Sequence, residues 1–323
     1  MGIRKAAIAA MMMLAAATVS AQYALPTVSV ANLRGKPGHA SELVSQVVTG
    51  TPLKVLSRQG SWIYVETPEG YKGHIRSNSL RELDNAAMNA WRKSERVVVT
   101  SPDRQWLHFN PQEKWSERVA DVLPGAILEV TGDSENPDFI KAKLPDGREG
   151  YIRNDAVEPF SVWADEAADD APSKAVANGY SMMGTPYLWG GTSVLGVDCS
   201  GFTQTQFYRF GILLPRDASQ QAKIGTLIYE RKAGESVPAD ILNRLLPGDL
   251  LFFGNSSTRK VTHVGFYAGN GNILHCAGRV RLNTLLPGEG YDASLYLLSV
   301  RRLTPETIRA LSVSSMPLYG IIN

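Results

Sequence analysis

A chain of 323 residues is long enough to fold as two or three domains, each with its own hydrophobic core. Hydrophobic residues make up 44% of it and charged residues 20%, which is ordinary for a globular protein. The formal net charge of +2 gives no electrostatic reason to expect nucleic acid or an anionic membrane as a partner.

The first 21 residues predict a secretory signal peptide. Arg4 and Lys5 precede an apolar run over 6–19, and the small residues that end it predict cleavage after Ala21. The run is shorter than the roughly 20 residues needed to span a bilayer, and no cysteine follows the cleavage site to carry a lipid. We therefore expect an exported protein, periplasmic or secreted, with no membrane span in the mature chain.

An internal repeat follows, because residues 50–80 resemble residues 125–157. Each copy alternates short strand patterns with Glu-Gly or Asp-Gly turns, which predicts small all-β barrels over 27–84 and 95–160. In length and in their closing Gly-x-Ile pattern the copies resemble bacterial SH3-like domains. They could serve as spacers or cell-wall adhesion modules. The aligned pairs are Gly50 with Gly125, Pro68 with Pro145, Gly70 with Gly147, Gly73 with Gly150, Ile75 with Ile152 and Arg76 with Arg153.

The pattern changes to α+β in the C-terminal half. An acidic, alanine-rich connector is predicted over 161–174, then a helix near 173–183 and another after Cys199. The runs "GDLLFF", "VTHVGFYA", "NILHCA" and "LYLLSV" predict strands. We expect this third domain to span 175–323, with 225–246 as a candidate lid of unknown conformation.

Cys199 is predicted at the start of a helix. Phe202, Gln206 and Phe210 recur at helical spacing after it, and Gly211 is placed to end the helix. Free backbone N–H groups and the positive dipole end favour a thiolate there, so a lowered thiol pKa is expected. A nucleophile and a packed structural cysteine remain the two alternatives at this point.

Two histidines are candidate partners of this cysteine. His263 and His275 flank "VGFYAGNGNIL", which predicts a β-hairpin. A three-residue loop over 269–271, with a bulge at Gly271, would set His275 opposite Gly265. His263 then becomes its diagonal neighbour on the same face, with Cβ atoms about 7–8 Å apart. This arrangement matches the nucleophile, base and orienting group of covalent catalysis.

The second cysteine is predicted to be a small buried residue. Alternation points Cys276 away from His275, and we expect Cys199 on the other side of the sheet, so a disulfide between the two is disfavoured. Zinc sites usually show short ligand spacings such as C-x₂-C, and none occurs here. We expect no metal and no cofactor.

Six motifs resemble the NlpC family of papain-like cell-wall cysteine peptidases, in order and spacing from about residue 175 to 303. They are "TPYLWGG", "DCSGF", "LPRDASQQ", "LPGDLLFF", "THVGFYAGNG" and "ILHCAG". Together with the SH3-like copies they resemble the γ-D-glutamyl-L-diamino-acid endopeptidase branch, also called dipeptidyl-peptidase VI. The resemblance implies a multidomain fold of two small SH3-like barrels followed by an α+β papain-like domain. It also implies that Cys199 attacks the carbonyl, His263 is the base and His275 fixes its tautomer.

The resemblance further implies a stem-peptide substrate, L-Ala-γ-D-Glu-diamino acid, recognised through its free amine. The backbone N–H of Cys199 and the hydroxyl of Tyr187 are candidate oxyanion donors. Ala218 departs from the serine expected in relatives. Glu42 and Tyr71 could instead be ordinary barrel surface, and a non-catalytic wall-binding protein or a thiol amidase or acyltransferase remain alternative functions. The implied substrate-binding residues are Tyr187, Trp189, Asp198, Ser200, Asp217, Glu42 and Tyr71.

Overall fold

The computed structural model describes residues 21–111, 117–166, 169–238, 240–286, 290, 292 and 294–320. Apart from Ala21, the predicted signal peptide lies outside the described residues. Within the described ranges, no helix has both the length and the apolar character required to cross a membrane.

The N-terminal region contains two seven-stranded antiparallel sheets with the same strand order. The first runs β3-β2-β6-β5-β4-β1-β7 and the second β10-β9-β13-β12-β11-β8-β14, so each strand of one sheet has a counterpart in the other. The first sheet consists of β1 (Tyr23–Pro26), β2 (Val30–Arg34), β3 (Leu43–Val48), β4 (Leu53–Gln59), β5 (Trp62–Glu66), β6 (Lys72–Arg76) and β7 (Leu80–Leu83). The second consists of β8 (Arg96–Val99), β9 (Gln105–His108), β10 (Arg118–Val122), β11 (Ile127–Asp133), β12 (Phe139–Lys143), β13 (Glu149–Arg153) and β14 (Val157–Pro159).

The aligned glycines explain why the repeat is visible in the sequence. Gly70 and Gly147 have φ angles of 86° and 93°, in the left-handed region that other residues adopt only with strain. Gly73 and Gly150 each lie against a leucine of the neighbouring strand, where a Cβ atom would approach within about 3 Å. Turn geometry and close strand packing therefore require glycine at the same places in both copies.

The third domain has a six-stranded antiparallel sheet in the order β17-β22-β18-β19-β20-β21, with α4 packed against it. An all-β region followed by an α+β domain is thus confirmed. The predicted strands are present, whereas β17 and β21 were not predicted from the sequence. The elements are α3 (Ala171–Gly179), β15 (Thr192–Ser193), β16 (Gly196–Val197), α4 (Cys199–Tyr208), α5 (Ala218–Gln221), β17 (Thr226–Glu230), β18 (Leu250–Gly254), β19 (Val261–Gly269), β20 (Asn272–Ala277), β21 (Arg279–Thr284), β22 (Leu297–Arg302) and α6 (Pro305–Ala310).

The domains are joined by a shared buried core, not by extended linkers alone. The helix α1 (Asn85–Lys93), between the two sheets, buries Met88 and Trp91. The segment predicted as a connector contains the helix α2 (Phe160–Asp165), whose Trp163 is fully buried. These side chains pack with Tyr319 near the C-terminus. The shared core fixes the first barrel relative to the third domain.

The first barrel also contacts the third domain through β3. Thr192 donates two hydrogen bonds to Gln46, from its backbone N–H (3.1 Å) and from its hydroxyl (3.0 Å). Gly190 has a φ of 78° and lies so close to Leu43 that a Cβ atom would be 2.4 Å from the Leu43 carbonyl oxygen. The turn "WGG" therefore allows the barrel to approach the loop that leads to Cys199.

The β19–β20 hairpin has the expected pairing at the histidines, but its loop prediction is wrong. His275 pairs with Gly265 as predicted. The turn, however, has two central residues, Asn270 and Gly271, with φ angles of 53° and 74°, and the register shift lies between Tyr267 and Gly269. An Asn-Gly turn with both residues left-handed matches the strand twist. The extra residue at Ala268 then restores the register that the predicted loop would have produced.

Candidate active site

An open cleft of about 590 Å³ lies between the first barrel and the third domain. Cys199 lines it together with all seven residues predicted to bind substrate. Residues outside that prediction line it as well. The predicted lining residues are Cys199, Tyr187, Trp189, Asp198, Ser200, Asp217, Glu42 and Tyr71; the others are Val44, Arg216, Ala218, Ser219, Lys260, Val261 and Thr262.

Cys199 is the first residue of α4. Asp198 is the N-cap residue, and its Oδ1 accepts a hydrogen bond from the Gly201 N–H at 2.7 Å. The first backbone N–H groups of a helix have no acceptor within it. The Cys199 amide is therefore available to stabilise a developing oxyanion beside the sulfur.

The expectation of an acidic thiol is wrong. Burial raises the pKa of Cys199 to about 11, and the Asp198 carboxylate adds to the rise. The amides of Val264 and Ser200 oppose it more weakly. The helix N-terminus is thus present, but desolvation outweighs it, and the resting sulfur is a thiol.

Both cysteines are free and buried. The expectation that they lie on opposite sides of the sheet is wrong, because Cys199 and Cys276 belong to the same core between α4 and the sheet. Cys276 does point away from His275, since neighbours on a strand face opposite ways. Its Sγ lies 3.3 Å from the Val197 carbonyl oxygen, to which the thiol donates.

A chain of hydrogen bonds joins the two histidines to a third residue. His263 Nε2 lies 2.7 Å from His275 Nδ1, and His275 Nε2 lies 2.8 Å from Asn283 Oδ1. The Asn283 amide nitrogen donates to the Gly290 carbonyl oxygen at 2.7 Å, so its oxygen faces the histidine. The sequence analysis did not identify Asn283. Its one signal was its position two residues after Arg281, which pairs with His275 across β20 and β21. Residues two apart on a strand face the same side.

The donors and acceptors along this series of hydrogen bonds follow one direction. Burial lowers the pKa values of both histidines, that of His263 to about 3, so both rings are neutral. Because Asn283 Oδ1 only accepts, His275 must carry its proton on Nε2, and its Nδ1 must accept from His263 Nε2–H. His263 then has its lone pair on Nδ1, as a base requires.

His263 is carried by the segment that borders Cys199. The Thr262 carbonyl oxygen lies 4.0 Å from Cys199 Sγ, and His263 is the next residue. The elements that converge here are the start of α4 and the start of β19, which are in contact. A thiol and a neutral imidazole with a fixed tautomer, carried by adjoining segments, are the groups that nucleophilic attack on a carbonyl uses.

Two hydrogen bonds between domains close the barrel side of the cleft. Trp189 Nε1 donates to Glu42 Oε1 at 2.8 Å, and the Tyr71 hydroxyl donates to Asp217 Oδ1 at 3.3 Å. Burial, followed by the charge of Asp217, raises the pKa of Tyr71 to about 12, so the hydroxyl stays protonated. Two carboxylates and a phenol therefore face the same part of the cleft, where a cationic group would be stabilised.

Arg216 is a residue that sequence reasoning missed. Its guanidinium is buried and forms two hydrogen bonds with Asp198, the shorter of them 2.6 Å. It also donates to the hydroxyls of Ser200 and of Ser45 in β3. Its position beside Asp217 in "PRDASQQ" gave no sign of burial. Asp198 consequently accepts hydrogen bonds from the start of α4 and from Arg216, and it organises the turn that leads to Cys199.

Tyr187 and Ala218 complete the cleft. Burial raises the pKa of Tyr187, and the neighbouring Cys199 and Asp198 add to the effect, so the phenol remains a hydrogen-bond donor. Ala218 begins α5 and is buried. Among the residues whose positions are described, no group of three or more His, Cys, Asp or Glu side chains could hold a metal ion.

Sequence comparisons find similarity to known proteins in both parts of the chain. The sequence profile of the NlpC/P60 family matches residues 184–300, and that of the bacterial SH3 domain matches residues 29–81. The gamma-D-glutamyl-L-lysine dipeptidyl-peptidase of Bacillus subtilis is 30% identical over 240 residues, 72% of this chain and 71% of that protein. The dipeptidyl-peptidase 6 of Lysinibacillus sphaericus is 28% identical over 262 residues, 79% of this chain and 89% of that protein.

The fold is also similar to that of a solved structure. The crystal structure of an NlpC/P60 family protein from Bacillus cereus matches with a TM-score of 0.70 and 24% identity, covering 88% of this chain and all of that one. At this identity, the likeness shows a shared fold.

Proposed function

Because this chain belongs to the NlpC/P60 family and is a cysteine peptidase, we propose that it hydrolyses one particular bond of peptidoglycan stem peptides. The bond joins γ-D-Glu to an L-diamino acid, either diaminopimelate or lysine. The preferred substrate has a free N-terminal L-Ala. The relatives named as dipeptidyl-peptidases support this choice of substrate.

In the proposed reaction, Cys199 Sγ attacks the γ-carbonyl carbon while His263 Nδ1 takes the thiol proton. The Cys199 amide and the Tyr187 hydroxyl donate to the oxyanion. His263 then gives its proton to the leaving amine as the carbon–nitrogen bond breaks. Water, deprotonated by His263, hydrolyses the thioester and releases the dipeptide with a free thiol.

The observation that carries the proposal is the acidic end of the cleft. Glu42 and Asp217 come from different domains, yet both are fixed there by hydrogen bonds from aromatic residues. An ammonium group placed between two carboxylates and a phenol gains charge-assisted hydrogen bonds. A dipeptide acyl group of fixed length would place the scissile carbonyl at Cys199 when its amine occupies this end.

The first barrel then limits how far the substrate can extend beyond its N-terminal L-Ala. In intact wall the L-Ala nitrogen is bonded to the sugar through an amide, which is neutral and continues into the glycan. Such a chain has no positive charge near Glu42 and Asp217, and its continuation would clash with the barrel. The proposed enzyme therefore acts on released peptides, in the compartment outside the cytoplasmic membrane that the predicted signal peptide implies.

The experiment is mass spectrometry of digests of L-Ala-γ-D-Glu-diaminopimelate with a free or acetylated N-terminus. We expect release of L-Ala-D-Glu from the free peptide, much slower cleavage of the acetylated one, and no product with Cys199→Ala. Glu42→Gln should raise KM for the free peptide more than for the acetylated peptide. The exposed Glu117, which does not line the cleft, supplies the matched control Glu117→Gln. Equal rates on both peptides would reject the amine-binding role of the cleft.

A further inference from the structure

The basic side chain on the catalytic side of the cleft has no assigned role. We propose that Lys260 binds a carboxylate of the diamino acid that leaves, and thereby determines which stem peptides are cleaved. This inference rests on the proposed function and adds a specificity residue to it.

Lys260 is placed beside the departing group. It lines the cleft together with Val261 and Thr262, and the Thr262 carbonyl oxygen is 4.0 Å from Cys199 Sγ. His263, which follows, must reach the leaving amine to protonate it. Lys260, at the end of the loop before β19, and the first two residues of β19 therefore border the leaving diamino acid. Glu42 and Asp217 border the acyl part.

The loop before β19 holds Lys260 in a defined position. Asn255 Oδ1 accepts from the amides of Ser257 and Thr258 at 2.9 and 2.8 Å. The Asn255 N–H donates to the Lys260 carbonyl oxygen at 3.2 Å, and the Arg259 N–H donates to the Asn255 carbonyl oxygen at 2.9 Å. The guanidinium of Arg259 turns away and donates to the carbonyl oxygen of Arg231. Of two adjacent basic residues, one is used within the domain and the other faces the cleft.

The charge of Lys260 is free to act on a ligand. Arg216, the other basic residue that lines the cleft, is paired with Asp198. Lys260 forms no ion pair with any carboxylate in the part of the chain that the structure describes. The cleft is thus acidic at its barrel end and carries one uncompensated positive charge on the side of His263.

Chemistry identifies the ligand group as a carboxylate. Diaminopimelate bears a carboxylate at the end of its side chain, and any stem that ends at this residue also has a free α-carboxylate. Lysine has only an ammonium at the end of its side chain, which Lys260 repels. A lysine ammonium that meets a carboxylate forms a charge-assisted hydrogen bond. Both sources share this chemistry, so the substrates of the test must separate them.

The test uses the full mature chain and four tripeptides, L-Ala-γ-D-Glu followed by diaminopimelate or L-Lys, each with its α-carboxyl free or amidated. We expect Lys260→Ala to lower kcat/KM about tenfold for the substrates that carry the carboxylate bound by Lys260, whether at the α-carbon or at the end of the side chain. For substrates without that carboxylate, we expect a change of less than twofold. Lys260→Arg should retain most of the discrimination. Lys223→Ala, an exposed lysine outside the cleft lining, is the control and should behave as the wild type.

Each outcome decides a separate point. An effect of Lys260→Ala that persists in amidated diaminopimelate substrates identifies the side-chain carboxylate, and an effect that amidation removes identifies the α-carboxylate. If the wild type cleaves these peptides but Lys260→Ala changes all four equally or none, the role of Lys260 is wrong while the proposed function stands. If the wild type cleaves none of them, the proposed function itself fails.

Discussion

His275 and Asn283 are joined by a hydrogen bond of 2.8 Å between Nε2 and Oδ1, and this bond sets the direction of the hydrogen-bond chain that ends at His263. An amide oxygen cannot donate, so it holds the proton on His275 Nε2. His275 Nδ1 then accepts from His263 and leaves the other nitrogen of His263 unprotonated. In the proposed reaction, Asn283 is thus a positioning residue that acts on His263 through two hydrogen bonds.

Replacing Asn283 should affect kcat more than KM. Asn283→Leu removes the acceptor and allows His275 the wrong tautomer, so we expect kcat to fall on the order of tenfold to a hundredfold. Asn283→Asp retains an acceptor and adds negative charge, which favours the imidazolium forms and moves the acid limb of kcat/KM to higher pH. Steady-state kinetics against pH measure both effects. Asn89→Leu, on the exposed face of α1, is the control. An unchanged pH profile in Asn283→Asp would contradict the coupling.

The buried pair of Arg216 and Asp198 should contribute strongly to folding. Removing the cation in Arg216→Met leaves Asp198 as an uncompensated buried charge, which typically costs about 3–5 kcal/mol in the free energy of unfolding. The double variant with Asp198→Asn keeps a helix cap and removes that charge, so it should be more stable than Arg216→Met alone. Urea unfolding followed by circular dichroism measures both.

An exposed ion pair serves as the control for this buried pair. Arg153 and Asp155 also form an ion pair, but both side chains lie in solvent, where such pairs contribute little. Arg153→Met should therefore unfold at nearly the wild-type urea concentration. Equal losses at Arg216 and Arg153 would show that burial does not determine the effect.

The sequence predicted local patterns well and long-range partners poorly. Strand alternation and helical spacing placed Cys199, His263 and His275 on the correct elements, because these patterns depend on neighbours along the chain. Asn283 lies on a strand that the sequence analysis did not identify, although Val280 and Leu282 alternate with polar residues in "RVRLNT". The partners of Arg216 are Asp198 and Ser200 in its own domain and Ser45 in the first barrel, and only tertiary packing brings them together.

The hairpin shows how a correct register can follow from a wrong loop. The predicted bulge at Gly271 and the observed register shift at Ala268 each add one residue to the hairpin, on opposite sides of the turn. His275 therefore pairs with Gly265 in both cases. Asn270 and Gly271 both take the left-handed conformation and favour the tighter turn. The prediction of a low thiol pKa was wrong for a different reason, because Cys199 is buried in the core between α4 and the sheet.

The raised pKa of Cys199 predicts how its reactivity depends on pH. With a pKa of about 11, the resting sulfur is protonated at neutral pH, so the iodoacetamide rate should rise steadily from pH 7 to pH 10. Mass spectrometry of the alkylated protein measures it. Cys276 is fully buried, and native Cys199→Ala should therefore remain unlabelled. A rate that is constant from pH 5 to pH 9 would show a thiolate–imidazolium pair at rest instead.

The buried histidines predict a loss of stability in acid. The pKa of His263 is about 3 in the folded protein and about 6.5 in an unfolded chain, so unfolding takes up a proton between these pH values. Stability from this residue is therefore complete above about pH 6.5 and is lost as the pH falls toward 3. His263→Gln cannot titrate, and its urea midpoint should fall less between pH 7 and pH 4.5 than that of the wild type. His39→Gln, at an exposed position in the first barrel, should keep the wild-type dependence, whereas identical curves for all three proteins would show that His263 is not buried in its neutral form.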